Sequence, residues 1–251
     1  SFDTALALAQ KEGFAEPDPT FDISGQDAAQ KTSILATLSF FQNSSMENVY
    51  FEGIDKISPD DIDYGKQLNF VLKPLSVGMQ NKDQITLGSF PAFVKTDSLL
   101  ASIQNENNAV LVNAENVGGT MYSGPGAGAK PTANSVLSDV IDIARGKIFD
   151  YGKFVEQNLS SSFDNFSCDR YLKLQVNDKP GVVAKISTLL AKNNLSIDNL
   201  IQKELERSDD QIPLVMVLSN SDETTIQDTI KELEALDEVS GPLTHIRILD
   251  I

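Results

Sequence analysis

The chain has 251 residues, a length typical of one or two domains, and we expect two. Hydrophobic residues make up 41% of the chain, which is enough for a buried core and argues against a disordered protein. The chain carries 20 Lys and Arg against 36 Asp and Glu, a net charge of −16. This balance argues against nucleic acid or an anionic membrane as partner, because binding phosphates requires a basic surface.

Hydrophobic periodicity and turn residues divide the first part of the chain into helices and strands. Residues 2–12 are predicted as a helix that ends at Gly13, and residues 27–41 as a second helix with an apolar stripe. Ser58 and Pro59 are typical of a helix start. The remaining predicted elements are strands at 67–77, 84–95 and 108–113, a turn at 117–119 that leads into 120–123, a loop at 124–128 and a helix at 133–145.

The second part of the chain has a different pattern. A polar, serine-rich segment at 158–169 is interpreted as a linker. Beyond it, the predicted elements are strands at 171–176, opening at 193–197, at 212–219 and at 245–249, and helices at 182–192 and 223–236. The order β-α-β-β-α-β within about 80 residues is that of a ferredoxin-like fold. We therefore predict an α+β protein with domains at 1–157 and 170–251.

Cysteine and histidine occur once each, as Cys168 and His245. One cysteine excludes a disulfide within the chain and is consistent with a cytoplasmic location, which we predict. One cysteine and one histidine are too few ligands for a Cys/His zinc site within the chain, and we predict no metal site. His245 lies in a predicted strand and is interpreted as structural. No apolar run reaches the roughly 18 residues that cross a bilayer, so we expect no membrane partner.

Acidic residues and a lysine are concentrated between positions 16 and 31. They are Glu16, Asp18, Asp22, Asp27 and Lys31. Asp27 and Lys31 are four residues apart on a predicted helix and therefore share a face. A lysine held protonated by carboxylates can donate a proton or stabilise an oxyanion. The alternative is an acidic surface loop followed by an ordinary salt bridge, which contributes little to stability.

Two turns that precede predicted helices could bind anions. Glycines at 124, 126 and 128 would let main-chain N–H groups approach a ligand, although the spacing matches neither a dinucleotide fingerprint nor a Walker loop. The turn at Asp178, Pro180 and Gly181 could hold a small carboxylate in the same way. The alternatives are a connection that needs positive φ and a tight, well-capped turn.

The spacing of Gly13, Asp18-Pro19, Asp22, Gly25, Asp27 and Lys31 resembles the signature of homoserine dehydrogenases. The resemblance continues through Glu52-Gly53-Ile54, Asn108-Ala109-Val110 and the 124–128 loop. From Tyr171 onward, the chain resembles an ACT domain, a small amino-acid-sensing module. Nearly the whole chain is covered, and the resemblance implies a mixed-sheet catalytic and dimerisation domain followed by the ferredoxin-like ACT domain.

This resemblance implies reduction of aspartate semialdehyde to homoserine with NADPH or NADH, on the route to threonine and methionine. The implied catalytic residues are Lys31, as proton donor to the aldehyde oxygen, and Asp27. The implied substrate-binding residues are Glu16, Asp22 and Asp27, with Asp22 also supporting Lys31. The implied cofactor contacts are Gly13, Gly126, Ala127 and Gly128.

An ACT domain implies feedback control by an amino acid, with threonine expected by analogy. The implied effector-binding residues are Asp178, Gly181, Val182 and Asn194. The family also implies a homodimer, which ACT pairing could extend to a homotetramer.

Homoserine dehydrogenases begin with a nucleotide-binding Rossmann domain, and no G-x-G-x-x-G motif after a strand occurs in this chain. We therefore expect a C-terminal fragment that holds the substrate half and is inactive alone. One alternative is a catalytically inert, dimerising module that binds amino acids. Another is a free-standing sensor that never had a Rossmann domain, and the set of Glu16, Asp27 and Lys31 argues against it.

Overall fold

The computed structural model describes residues 1–13, 15–81, 84–147, 160–202 and 211–251. Its first three helices are α1 (Phe2–Glu12), α2 (Thr20–Ile23) and α3 (Gln26–Phe40). The hydroxyl of Ser1 caps α1, and Gly13 ends that helix with φ 78°. Gly25, with φ 84°, precedes α3. The predicted helices at 2–12 and 27–41 are confirmed to within a residue at each end.

A long hairpin follows and supplies the centre of the N-terminal part. The elements are β1 (Tyr50–Phe51), α4 (Pro59–Gln67), β2 (Phe70–Asn81) and β3 (Gln84–Lys95). Ser58 and Asp61 form a reciprocal capping box at the start of α4, as the predicted helix start at Ser58 and Pro59 requires. The prediction that β2 begins at 67 was wrong, because α4 extends to Gln67 and Asn69 then turns the chain with φ 61°.

A second, separate hairpin is formed by β4 (Asn107–Ala114) and β5 (Gly118–Pro125), and α5 (Ala129–Ala144) follows it. Two predicted boundaries here were wrong. Residues 124 and 125 still pair with β4, so the loop is shorter than 124–128. Helix α5 begins at Ala129 rather than 133, directly after Gly128, whose φ of 118° is a backbone conformation that favours glycine.

The C-terminal part contains β7 (Ser167–Asn177), α6 (Val182–Lys192), β8 (Ile197–Gln202), β9 (Gln211–Asp222), α7 (Glu223–Glu234) and β10 (Val239–Leu249). The strands are antiparallel in the order β10-β7-β9-β8, which confirms the ferredoxin-like prediction. Both helices cover one face of the sheet. Their core residues include Ile186, Leu190, Ile226 and Leu233, packed against Leu172 and Leu174 of β7.

The two parts share one mixed sheet. Strand β10 pairs in parallel with β3, with Ile248 opposite Phe93, and this pairing joins the sheets into one of eight strands. The face of the C-terminal sheet that α6 and α7 leave open packs against α4 and β3. Its buried cluster contains Tyr64 and Phe93 from the N-terminal part and Tyr171, Val215, Val217, Ile246 and Ile248 from the C-terminal part.

Part of the segment interpreted as a linker is packed structure. Positions 158 and 159 lie outside the described residues, but β6 (Ser160–Ser161) pairs with β3, and β7 already begins at Ser167. Phe163 and Phe166 stack on each other, with ring centroids 4.8 Å apart, and pack against Phe90. The linker interpretation was therefore wrong over 160–169, because two phenylalanines in a polar run supply apolar surface that the sheet buries. Among the described residues, no helix is long and apolar enough to cross a membrane.

Candidate functional site

A surface pocket of about 610 Å³ lies between α1 and α2. Its lining comprises Gln10, Gly13, Ala15, Glu16, Pro17 and Asp22. Three residues that the sequence singled out, namely Gly13, Glu16 and Asp22, therefore meet in one place. Two carboxylates at the pocket give it a negative charge, which suits a ligand with a positively charged group.

Hydrogen bonds between side chains and the main chain hold the pocket in shape. The Gln10 side-chain amide donates to the carbonyl oxygens of Glu16 at 3.0 Å and Pro17 at 3.3 Å. The main-chain N–H of Glu16 donates to Oδ2 of Asp22 at 3.2 Å. Asp22 therefore fixes the turn that carries Glu16, in addition to lining the pocket.

Asp18 has a local structural role instead. Its Oδ1 accepts hydrogen bonds from the hydroxyl of Thr20 at 2.7 Å and from the main-chain N–H of Thr20 at 3.1 Å. These two bonds lower the pKa of the Asp18 carboxyl from its usual value. Because its carboxylate is bonded within its own turn, Asp18 stabilises the entry into α2.

Asp27 and Lys31 form the expected ion pair on α3. The Nζ of Lys31 lies 2.5 Å from Oδ2 of Asp27. The side chains are 65% and 38% exposed for Lys31 and Asp27, respectively, so both remain accessible to a ligand. Neither residue of the pair lines the 610 Å³ pocket. Asp22, which the sequence predicted to support Lys31, accepts a hydrogen bond from the N–H of Glu16.

The start of α3 is clamped by the chain at residues 52–54. A Cβ added to Gly25 would lie 2.8 Å from the carbonyl oxygen of Glu52, and one added to Gly53 would lie 2.5 Å from the carbonyl oxygen of Ile23. The N–H of Ile54 donates to that same carbonyl oxygen of Ile23 at 3.0 Å. Glycine is required at both positions because the two backbones touch.

The residues predicted to contact the cofactor are in two places. Gly13 lies in the pocket, and a Cβ added there would meet no heavy atom within 4 Å. Gly126, Ala127 and Gly128 lie between β5 and α5. The N–H of Gly126 already donates to the carbonyl oxygen of Glu106 at 2.8 Å. A Cβ on Gly126 would lie 2.1 Å from the side chain of Asn108, so this glycine serves the hairpin's own packing.

The residues predicted to bind an effector lie around the start and the end of α6. Gly181, with φ 94°, precedes α6, and Asn194, with φ 57°, follows it. Asp178 lies in the turn between β7 and α6. The side chain of Val182 is buried in the core formed by α6 and α7, and its N–H donates to the carbonyl oxygen of Lys179 at 3.3 Å.

A buried charged network, which the sequence did not indicate, joins the two parts of the chain. Arg170 and Arg247 are both 0% exposed. Glu223 accepts from Nη1 of Arg170 at 2.8 Å and from Nη2 of Arg247 at 2.5 Å. Nη1 of Arg247 also donates to Glu52 at 2.8 Å. The sequence feature that could have indicated it is one arginine in each of two apolar strands, because a charge buried among apolar residues needs a partner.

The charges of this network shift the pKa values of its members. Burial alone would raise the pKa of Glu223, but the hydrogen bond and charge of Arg247, together with the charge of Arg170, hold it at about 2. Burial raises the pKa of Tyr50 to about 12 against the opposing charge of Arg247. Burial, followed by the charges of the two arginines, lowers the pKa of His245 to about 3. His245 is therefore neutral at physiological pH.

Comparisons with known proteins agree with this architecture. A family model described as homoserine dehydrogenase matches residues 1–141, and one described as ACT domain matches residues 170–238. A homoserine dehydrogenase from Pseudomonas aeruginosa is 38% identical over 259 residues, which cover 99% of this chain and 59% of that protein. One from Bacillus subtilis is 33% identical, covering 98% and 58% of the respective chains. The crystal structure of a homoserine dehydrogenase from Thiobacillus denitrificans has a TM-score of 0.88 at 34% identity, covering 99% of this chain and 58% of that one.

These matches define an α+β protein in which the C-terminal ferredoxin-like part is an ACT domain. The chain belongs to the homoserine dehydrogenase family, because the family model matches more than half of its residues. It spans about 59% of the length of the curated relatives that it matches. The expected resemblance to both families is confirmed.

Proposed function

We propose that this chain is the substrate-binding and regulatory part of an NAD(P)-dependent homoserine dehydrogenase, which interconverts aspartate semialdehyde and homoserine. The observation that carries the proposal is the convergence of Gly13, Glu16 and Asp22 on one pocket. Helix α3, which presents Asp27 and Lys31, begins three residues after α2, the helix that contains Asp22. Family membership supplies the reaction, and the pocket supplies groups suited to its substrate.

The side chains divide the work by charge. The carboxylates of Glu16 and Asp22 attract the ammonium group that aspartate semialdehyde and homoserine share. Asp27 holds Lys31 by an ion pair and also faces the substrate. As the aldehyde is reduced, negative charge develops on its oxygen, and the Lys31 ammonium donates a proton there to give the hydroxyl of homoserine. In the reverse direction, the neutral amine of Lys31 takes that proton back.

Gly13 is proposed as a contact of the cofactor, since it lies at the edge of the pocket and the space beside its Cα is open. When bound, NADPH or NADH supplies the hydride that reduces the aldehyde. Ala127 and Gly128 are proposed as further contacts. Gly126 is a weaker candidate because its N–H is already bonded to the carbonyl oxygen of Glu106.

The ACT domain is proposed to bind threonine as a feedback effector, through Asp178, Gly181, the main chain of Val182, and Asn194. The position of Gly181 at the start of α6 supports this proposal, because the first N–H groups of a helix can receive a carboxylate; the N–H of Val182 itself already donates to the carbonyl oxygen of Lys179 at 3.3 Å. A homodimer or homotetramer and a cytoplasmic location are also part of the proposal.

The test is a homoserine-dependent assay of NAD⁺ and NADP⁺ reduction, run on residues 1–251 and on the longest protein that the gene encodes. We expect activity in the longer protein. There, Lys31→Met should lower kcat by about 10²- to 10⁴-fold because the proton donor is lost. The matched control is Lys66→Met, because Lys66 is about as exposed as Lys31 and pairs with Asp63 at 3.0 Å.

Unchanged turnover in Lys31→Met would remove Lys31 from the mechanism. Absence of homoserine-dependent activity from both proteins would refute the dehydrogenase proposal. The chain would then be interpreted as a regulatory module that binds amino acids.

A further inference from the structure

The buried network contacts the part of the chain that clamps α3. Within the ACT domain, Glu223 is held between Arg170 and Arg247 and also accepts from Gln227 at 2.9 Å. Arg170 further donates to the carbonyl oxygens of Phe166 at 3.0 Å and Ser221 at 2.7 Å. All of these bonds lie within the ACT domain or just before its first strand. They therefore hold the guanidinium of Arg247 in a fixed position relative to that domain.

The other end of Arg247 contacts the N-terminal part. It donates to Glu52 at 2.8 Å and to the hydroxyl of Tyr50 at 3.0 Å, and Tyr50 donates to Glu52 at 3.0 Å. Aromatic rings surround the guanidinium, with centroids at 4.8 Å for Tyr50, 4.5 Å for Phe90 and 5.3 Å for Phe163. Arg247 and Glu52 are 195 residues apart in the chain, so only the folded protein brings them together.

The main chain at Glu52 leads directly to the catalytic helix. Its N–H donates to the carbonyl oxygen of Ser89 at 2.9 Å, and its own carbonyl oxygen is the atom against which Gly25 packs. The carbonyl oxygen of Gly25 accepts from the N–H of Ala29 at 2.9 Å, within the first turn of α3. A shift at Glu52 therefore moves the start of α3, and Lys31 moves with it because a helix transmits such a shift as a rigid element.

We propose that Arg247 is a positioning residue for the catalytic pair, acting through its ion pair with Glu52 to fix the start of α3 and thereby Asp27 and Lys31. The catalytic meaning of this contact rests on the proposed function. The physical coupling between Glu52 and α3 is independent of that function. A buried ion pair is weak support for stability compared with apolar packing, but its directional bonds fix geometry.

A second polar contact between the two parts provides a control. Lys173 of β7 lies 2.7 Å from the carboxylate of Asp61 and donates to the hydroxyl of Ser58 at 2.9 Å. This contact reaches the start of α4 rather than residues 52–54. Breaking it perturbs the same interface between the parts while leaving the clamp on α3 in place.

The central variant is Glu52→Gln, which keeps the shape of the side chain and removes its charge. Glu52 is 24% exposed on its side chain, and Arg247 retains Glu223 as a partner, so the fold is expected to survive. Hydrogen exchange on residues 1–251 should show amides at 23–32 exchanging about fivefold or more faster, with α7 unchanged. Lys173→Met should leave exchange at 23–32 unchanged.

In the full-length protein, Glu52→Gln should lower kcat about tenfold, with the KM for homoserine within about twofold of wild type, because misplacing a reacting group affects turnover more than binding. Arg247→Met should act on the same step. If it folds, the double variant should be no slower than the slower of the two single variants.

Unchanged exchange at 23–32 in Glu52→Gln would overturn the proposal, and so would a uniform increase throughout the chain. Wild-type kcat in that variant would overturn the positioning role. Failure of the proposed function gives a different result, namely no homoserine-dependent activity in the wild-type full-length protein. The exchange experiment decides the coupling in that case as well.

Discussion

Replacing Glu223 by Gln should destabilise the protein by about 3–5 kcal/mol, the cost of removing one member of a buried ion pair. The carboxylate of Glu223 is the shared partner of Arg170 and Arg247, which are both fully buried. Without it, Arg247 keeps its bond to the carboxylate of Glu52. Arg170 is left with main-chain carbonyl oxygens, which do not neutralise its charge.

For a protein of this size, such a loss corresponds to a fall in melting temperature of roughly 6–20 °C, at about 2–4 °C per kcal/mol. Because the chain has no tryptophan, urea unfolding should be followed by far-UV circular dichroism. The control is Lys95→Gln at the exposed pair with Asp250, 2.9 Å apart, where we expect less than about 1 kcal/mol.

The same variant has a defined pH dependence. The pKa of Glu223 is about 2 in the folded protein against an ordinary value of 4.5. A lowered pKa contributes stability that is fully present above pH 4.5 and is lost as the pH falls toward 2. The gap between wild type and Glu223→Gln should therefore be widest at neutral pH and narrow below pH 4.5. A difference under about 1 kcal/mol at pH 7 would refute the argument that the network is charge-balanced by Glu223.

Two further predictions concern the ACT domain. Threonine at a hundredfold excess over its Kd should stabilise the chain by about 2.7 kcal/mol, and Asp178→Asn should reduce the shift in melting temperature. No shift with any amino acid would contradict the effector proposal. The pKa of His245, about 3 against 6.5, makes the folded protein bind fewer protons than the unfolded chain, so its contribution to stability falls as the pH drops from 6.5 toward 3. His245→Leu should make the midpoint of urea unfolding change less between pH 7.5 and pH 5 than it does in the wild type. The same change of midpoint with pH in both proteins would assign the pH dependence to other groups.

Local features of the structure were predictable because each depends on neighbours within a few residues. Gly13 ends α1, Ser58 and Pro59 begin α4, and the four-residue spacing of Asp27 and Lys31 places them in contact. The ferredoxin-like order was predictable for the same reason, since each of its elements has its own periodicity. The family resemblance added the expected catalytic roles of Asp27 and Lys31. Their spacing alone was consistent both with a catalytic pair and with an ordinary surface salt bridge.

Element boundaries were less predictable where packing decided them. The segment at 158–169 is polar and serine-rich by composition. In the structure, however, Phe163 and Phe166 pack against Phe90 of β3, and the ring of Phe163 also contacts the guanidinium of Arg247. Those partners are distant in the chain, and no local pattern indicates them. The strand at 124 and 125 likewise persists because β4 offers it a pairing edge.

The sequence by itself determined helices α1, α3, α6 and α7, the start of α4, the ACT-type fold and the acidic group at 16–31, because these follow from local periodicity, capping and a family signature. Only the tertiary structure decided that β3 pairs with β10 and that Glu52 meets Arg247 and Glu223. The physical reason is that a buried charge selects its partner by proximity in the folded state. Proximity between residues 52 and 247 is created by sheet pairing, and no spacing along the chain records it.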